Sequence, residues 1–362
     1  MPLNAIPPTT TIANFQVKLD AAKGQCYVDV GFWGGVIPGN HDQLKPLVNE
    51  GVRGFKCFLI ESGVDEFPCV NEEQVRLAME KLQETSAALL FHAEMETPIS
   101  APPPTTNPSI YNTFLASRPQ SLETTAIDLV IRLTRHFHSL GRPVHTHIVH
   151  LSAASAIPAI RAARREGLPL TVETCHHYLS FNSEDIPDGA TYYKCCPPIR
   201  DNANREELWK GLRDGDIDQI VSDHSPCVGE LKRMDIDGDF IKAWGGISGL
   251  QFGLATVWTE GKGKGISYQD LTRWLSYNPA KLVNLLDRKG EIKVGADADF
   301  VFWRPKAKFI VTHESILFKN KLTPYEGREL YGPVERTVVR GKTVYERTVG
   351  ITPGEPLGKF VM

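Results

Sequence analysis

Lys56 in Gly-Phe-Lys-Cys-Phe, His92 in Leu-Phe-His-Ala-Glu, His150 in Val-His-Leu-Ser and Asp223 in Val-Ser-Asp-His-Ser each close a short β-branched or aromatic run. Neutral imidazole and carboxylate are ligands for a divalent cation such as zinc. A carboxylate held on a metal also accepts a proton from an activated water and delivers it to a leaving nitrogen, which makes Asp223 a catalytic candidate as well as a ligand. Lys56 is the less ordinary member. Desolvation inside an apolar strand favours a neutral, nucleophilic amine, and such an amine takes up carbon dioxide as a carbamate. The resulting anion is bidentate and can bridge two cations about 3.5–4 Å apart. Each residue also has a purely structural reading: a hydrogen-bonded core histidine, a lysine snorkelling from a strand end, or an aspartate capping the next helix. Of His145, His147 and His150, at most one is expected as a ligand. His176 and His177 are neighbours on an expected strand, so only one of them can face inward.

Residues so far apart in sequence meet only if the fold brings strand ends together. A (β/α) barrel does this, because its chemistry sits at the carboxyl ends of its strands. Strand signals cover 27–33, 51–60, 87–92, 144–151, 170–179 and 217–223. Helical spacing covers a segment beginning near His41, then 72–82, 121–140, 153–166 and 205–213. Strands alternating with helices predict a parallel sheet. Six such units are present, where a closed barrel of the (β/α)8 type needs eight. Beyond Asn284 the texture changes to hairpin-like strands with Gly turns, around 290–303 and 337–345. The predicted organisation is an α/β chain with a TIM-barrel domain over 1–284 and part of a small β-sandwich over 285–362. The Pro/Thr-rich stretch near 101–106 reads as a loop.

The 362 residues carry a formal net charge of −3 with both signs mixed along the chain. No phosphate-tracking surface is implied, so neither nucleic acid nor an anionic membrane is an expected partner. The seven cysteines have no redox or zinc-knuckle spacing. They read as reduced thiols of an intracellular, cytoplasmic setting.

Gly-Phe-Lys-Cys-Phe, Phe-His-Ala-Glu, His-Ile-Val-His-Leu-Ser, Cys-Cys-Pro-Pro-Ile-Arg-Asp, Val-Ser-Asp-His-Ser-Pro-Cys, Trp-Gly-Gly-Ile-Ser-Gly and Tyr-Asn-Pro-Ala-Lys resemble, in order, the motifs of cyclic-amide hydrolases of the amidohydrolase superfamily. The stretch from Asp29 to Gly35, with Ser225-Pro226-Cys227 and Trp244-Gly245-Gly246, is more similar to allantoinases than to hydantoinases or dihydropyrimidinases. The resemblance implies two metal ions, usually zinc with cobalt or manganese as alternatives, bridged by N-carboxylated Lys56. It implies His92 and His150 on one metal and Asp223 on the other. Backbone groups at Cys196, Gly246 and Ile247 would orient the substrate's amide ring. The implied reaction is hydrolysis of allantoin to allantoate in purine degradation, and the implied assembly is a homo-oligomer, a tetramer when intact.

One departure from the resemblance concerns the amino end. The family carries His-x-His on its first barrel strand and Met-Pro-Leu-Asn at the end of its second, whereas here Met-Pro-Leu-Asn is residues 1–4. The expectation is an amino-terminally truncated barrel that lacks two ligands of one metal, exposes unpaired strand edges, and turns over little. Two alternatives accompany this reading: a hydantoinase- or dihydropyrimidinase-type cyclic amidase, and a catalytically dead barrel serving as an interaction protein.

Overall fold

The computed structural model describes residues 1–97 and 107–362, so the loop predicted at 101–106 lies outside the described residues. Six strands form one parallel sheet in sequence order: β1 (Gly34–Gly35), β2 (Gly54–Phe58), β3 (Ala88–His92), β4 (Thr146–Ile148), β5 (Leu170–Cys175) and β6 (Gln219–Val221). β1 and β6 are its outer strands. The helices α1 (Ile12–Ala22), α2 (Leu44–Asn49), α3 (Glu72–Leu82), α4 (Tyr111–Ser117), α5 (Gln120–Ser139), α6 (Ile157–Arg165), α7 (Asn202–Asp214) and α8 (Gly253–Gly261) come before, between and after these strands.

Strand parity separates two apolar regions. Phe55, Cys57, Leu89, Phe91, Ile148 and Val172 belong to the large core that the helices also join. Ala88, Leu90 and Val149 cluster on the other face with Leu282 and Trp33. Both faces are therefore covered, which is why β2 and β3 are buried at every position rather than alternating apolar and polar. The inward row also carries polar groups. Lys56 is in register with Leu90, Leu90 with His147, and His147 with Thr171.

The helices follow from local chemistry. Asn71 and Gln74 close a capping box at the start of α3. On α5, Leu122, Ala126, Val130, Leu133 and Phe137 recur every three or four residues and are all buried. Each large apolar side chain so placed contributes about 1.5–3 kcal/mol. Asp201 caps α7 by accepting from the Asn204 N–H, and Gly215, at φ 82°, supplies the left-handed residue that ends it.

Several elements differ from the sequence expectation. Of the predicted strand over 27–33, only Val30 makes a bridge, to Phe360, and the paired residues in this region are Gly34 and Gly35. A Cβ on Gly35 would lie 2.3 Å from the Phe67 ring, and one on Gly34 would lie 2.6 Å from the Phe55 ring. These glycines permit a close approach that no other residue allows. The strand expected over 170–179 stops at Cys175, so His176 and His177 sit in the following turn. After residue 284 the sheets are antiparallel. The smaller pairs β8 (Lys308–Ile310) with β9 (Glu329–Tyr331). The larger has the order β12 (Gly350–Ile351), β11 (Lys342–Glu346), β10 (Val334–Val339), β7 (Phe300–Trp303). The carboxyl-terminal residues then return to the amino-terminal segment: Phe360 packs edge-on against Phe32 at 5.1 Å.

Candidate active site

Lys56, His92, His150, Cys196 and Asp223 all line one cavity of about 780 Å³ at the carboxyl side of the parallel sheet. Their positions on the strands are not equivalent. His92 is the last residue of β3, while Lys56 is the middle residue of β2 rather than its end. His150 and Asp223 lie two residues past β4 and β6, and both take left-handed backbone conformations, at φ 41° and φ 40°. A non-glycine residue held there costs about 1–3 kcal/mol. The fold thus sustains strain at two of the positions singled out for chemistry.

The two imidazoles meet directly. His92 Nδ1 lies 3.0 Å from His150 Nε2, and the His92 ring stacks on Phe58 with centroids 4.4 Å apart. On its other side His92 Nε2 contacts Glu94 Oε2 at 2.7 Å. Burial drives both histidines below their ordinary pKa, only partly opposed at His92 by Glu94. Both rings are therefore neutral, the form that ligates a metal. Burial also raises Asp223 to about 6; Lys56 pulls it down and Glu173 pushes it further up.

Glu94 was not among the sequence candidates. It is completely buried and receives two hydrogen bonds from Arg118, Nε to Oε1 at 3.0 Å and Nη2 to Oε2 at 2.8 Å. Burial alone would raise its carboxyl, yet His92 and Arg118 outweigh it and hold the pKa at about 2. A signal did exist, because Glu94 stands two residues after His92 and so shares its side of the chain. Arg118 lies just after α4 and carried no such signal. Glu123 is a further buried anchor. It accepts from the backbone N–H of Ser152 and of Ala153 at 2.9 and 3.0 Å and pairs with Arg200 at 2.6 Å, which fixes the loop that carries His150. Also lining the cavity, Glu173 accepts from Gln219 and contacts His147 Nε2 at 3.1 Å. His145 and His147 both contact Thr171, and His176 contacts the Tyr325 hydroxyl.

Gly246 and Ile247 stand apart from this set. Gly245, and not these two, borders the cavity. Their backbone groups are committed elsewhere: the Ile247 N–H donates to Ser225 Oγ, its carbonyl accepts from the Ser225 N–H, and the Gly246 carbonyl accepts from Lys232 Nζ. Residues 225–247 thus form a strapped loop beside the cavity.

The donor set fits a metal. His150 Nδ1 is buried without a hydrogen-bond partner among the described residues. Zinc–nitrogen bonds of about 2.0–2.1 Å would put two ligand nitrogens on one ion roughly 3.3 Å apart, near the 3.0 Å between His92 Nδ1 and His150 Nε2. Among the described residues, the one group of three or more His, Cys, Asp or Glu side chains that converge closely lies elsewhere, at Asp29, Asp297 and Asp299. Those carboxylates are matched by Lys289, and Asp29 also by Arg340, which makes the group an ion-pair cluster.

The amidohydrolase family model matches residues 124–344. The allantoinase of Saccharomyces cerevisiae is 47% identical over all of this chain and 77% of its own length. The allantoinase of Streptomyces avermitilis is 44% identical over 95% of this chain and 75% of its own. Among solved structures, the L-hydantoinase (dihydropyrimidinase) of Arthrobacter aurescens superposes with a TM-score of 0.90 at 27% identity, covering 100% of this chain and 79% of that one. Its likeness agrees with the parallel α/β barrel architecture seen here. With a family model over most of its length and allantoinases of high identity matched along the whole chain, the protein belongs to the amidohydrolase family, within its allantoinase branch.

Proposed function

We propose that this chain hydrolyses the ring amide of allantoin to give allantoate, with Lys56, His92, His150 and Asp223 as the residues that hold its metal. Amidohydrolases are metal-dependent as a family. The ions are proposed to be zinc and Lys56 to be N-carboxylated. Bound there, divalent cations would polarise the ring carbonyl and make water acidic enough to attack near neutral pH.

The remaining work falls to the chain's own side chains. Glu94 accepts from His92 Nε2, which fixes the tautomer and leaves the Nδ1 lone pair on the side of His150 Nε2. Asp223, half-buried at the cavity wall with a pKa near 6, is poised to take a proton and return it to the ring nitrogen as the C–N bond breaks. Water adds across that bond, leaving a carboxylate on carbon and an N–H on nitrogen. Phe58 and Trp33 supply an apolar wall that limits water around the site.

The observation that carries this reading is the convergence of the four residues on one cavity in a chain of allantoinase ancestry. The structural likeness to a hydantoinase favours a second reading, a cyclic amidase acting on hydantoins or dihydropyrimidines. Zinc-supplemented protein is to be assayed for ring opening with allantoin, hydantoin and dihydrouracil side by side. Preference for allantoin supports the first reading. Preference for either other ring replaces it with the second.

A further inference from the structure

Residues 241–246 lie outside any helix or strand, yet Lys242, Ala243, Trp244 and Gly245 form part of the cavity wall. Such a segment has no ladder to occupy its backbone carbonyls, and a buried carbonyl without a donor is costly. Two lysines, 6% and 4% exposed, supply the donors. Lys194 Nζ donates to the carbonyls of Ile241 at 2.9 Å and Ala243 at 2.6 Å, with the Phe114 ring 5.0 Å away. Lys232 Nζ donates to the carbonyls of Lys194 at 3.1 Å, Trp244 at 2.9 Å and Gly246. The Lys194 carbonyl also accepts from the Gly246 N–H at 3.0 Å, and the Trp244 N–H donates to the Leu231 carbonyl at 2.9 Å. This wall meets the residues that follow Lys194: a Cβ on Gly245 would lie 3.0 Å from Cys196 Sγ, and Cys196 borders the cavity too. Lys232 itself does not border it, so any effect on a bound ring passes through the wall.

We infer that Lys232 is a positioning residue for ring opening: its ammonium gathers the carbonyls of Lys194, Trp244 and Gly246 and so holds Trp244 and Gly245 against Cys196 as a finished wall for the bound ring. An ammonium carries three diverging N–H donors and no acceptor, which suits three carbonyls around one point. A planar guanidinium cannot aim one nitrogen at all three, and a neutral side chain leaves them short of donors. Hydrogen bonds from a charged donor are stronger than neutral ones, and here they tie two stretches of chain that are 50 residues apart at Lys194 and Trp244. The ordering of the wall is thereby met on folding and not again when substrate binds, so its loss falls on KM more than on kcat. The kinetic half of this inference rests on the cyclic-amidase reading; the order of the wall does not.

The test compares wild type, Lys232→Met, Lys232→Arg and Lys232→Ala as zinc-supplemented full chains. Lys232→Ala is measured alone, with propylammonium, which replaces the atoms it lacks, and with 1-propanol as the uncharged control. The readouts are KM and kcat on allantoin, metal content, and amide hydrogen exchange in the peptide over residues 241–247 against that of α5. In Lys232→Met, KM should rise about tenfold with kcat within about threefold and metal content unchanged. Exchange over 241–247 should quicken by about tenfold or more while α5 changes far less, because opening is local. Propylammonium should return both readouts of Lys232→Ala towards wild type, 1-propanol should not, and Lys232→Arg should be intermediate. A lysine that serves only overall stability would quicken exchange in both regions alike and leave KM unmoved, and that result overturns the inference. So does unchanged exchange over 241–247, or selective quickening with KM unchanged. Should Lys232→Met fail to fold, Lys232→Arg is read by the same criteria. If wild type opens no ring, the functional reading fails by itself, and exchange with rescue by propylammonium then decides the order of the wall: selective quickening that propylammonium reverses supports it, and any other result overturns it.

Discussion

Replacing Lys56 by methionine separates a metal-holding lysine from a structural one, because the two roles have opposite signs in the absence of metal. Lys56 is 3% exposed in the middle of a fully buried strand. Among the described residues its ammonium makes no hydrogen bond, and its neighbours are the Phe58 ring at 5.0 Å and the Asp223 carboxylate. Burying an ammonium costs several kcal/mol, of which a desolvated cation–π contact returns about 2. Methionine fills the same unbranched volume with no charge to desolvate. After exhaustive chelation and at pH 5, where Asp223 with its pKa near 6 is mostly protonated and needs no counter-charge, Lys56→Met should therefore be more stable than wild type by about 1–3 kcal/mol, seen as a rise of a few degrees in melting temperature. With metal the order should reverse. A ligand at one hundred times its dissociation constant stabilises by about 2.7 kcal/mol, and wild type should gain that while the variant gains little. Calorimetric melting with chelator and with excess zinc, plus metal analysis after desalting, measures both halves. Lys56→Ala should also lose metal, with partial recovery on adding a short carboxylic acid. A Lys56→Met protein that keeps wild-type metal stoichiometry and wild-type stabilisation by zinc would refute the reasoning.

Two further outcomes follow from buried charges outside the metal set. Burial raises the Asp29 carboxyl, but hydrogen bonds from Arg340, Lys289 and the Lys359 N–H more than reverse this and hold it well below the usual carboxylate range. A depressed folded-state pKa stabilises above the unfolded value near 4 and is lost as pH falls below it, so Asp29→Asn should cost about 2–3 kcal/mol at pH 7 and progressively less below about pH 4. Urea midpoints at pH 7 and pH 3 check this, and a gap independent of pH contradicts it. Glu123→Gln leaves Arg200 buried without its partner and weakens the grip on the Ser152 and Ala153 N–H groups. Breaking such a pair costs about 3–5 kcal/mol, and since this loop carries His150, zinc affinity should fall alongside the urea midpoint.

Much of the architecture was legible in the chain before folding. α3 spans Glu72–Leu82 as its periodicity predicts, and α5 lies within one residue of expectation at each end. Both have caps or apolar stripes that act over three or four residues, a range that sequence spacing records directly. The six parallel units were likewise countable. Strand limits were less so: the predicted runs at 144–151 and 170–179 shrank to their paired cores and the pairing expected over 27–33 fell on Gly34 and Gly35, because pairing depends on what a neighbouring strand presents. His145, His147, His176 and His177 looked as chemical as His92 and His150, yet the fold spends three of them on contacts with Thr171 and Tyr325.

Lys56, His92, His150 and Asp223 were expected from apolar runs and from the family resemblance together, and they share one cavity although only His92 ends its strand. Glu94 was half visible through its spacing from His92. Arg118, the strain at His150 and Asp223, and the commitment of the Gly246 and Ile247 backbone to Ser225 and Lys232 were not visible. Each of those depends on segments between 14 and 24 residues apart, or on torsions imposed where a strand gives way to a loop. Such contacts leave no periodic trace, and they come into being only when burial makes an unpaired charge or N–H too costly to leave alone.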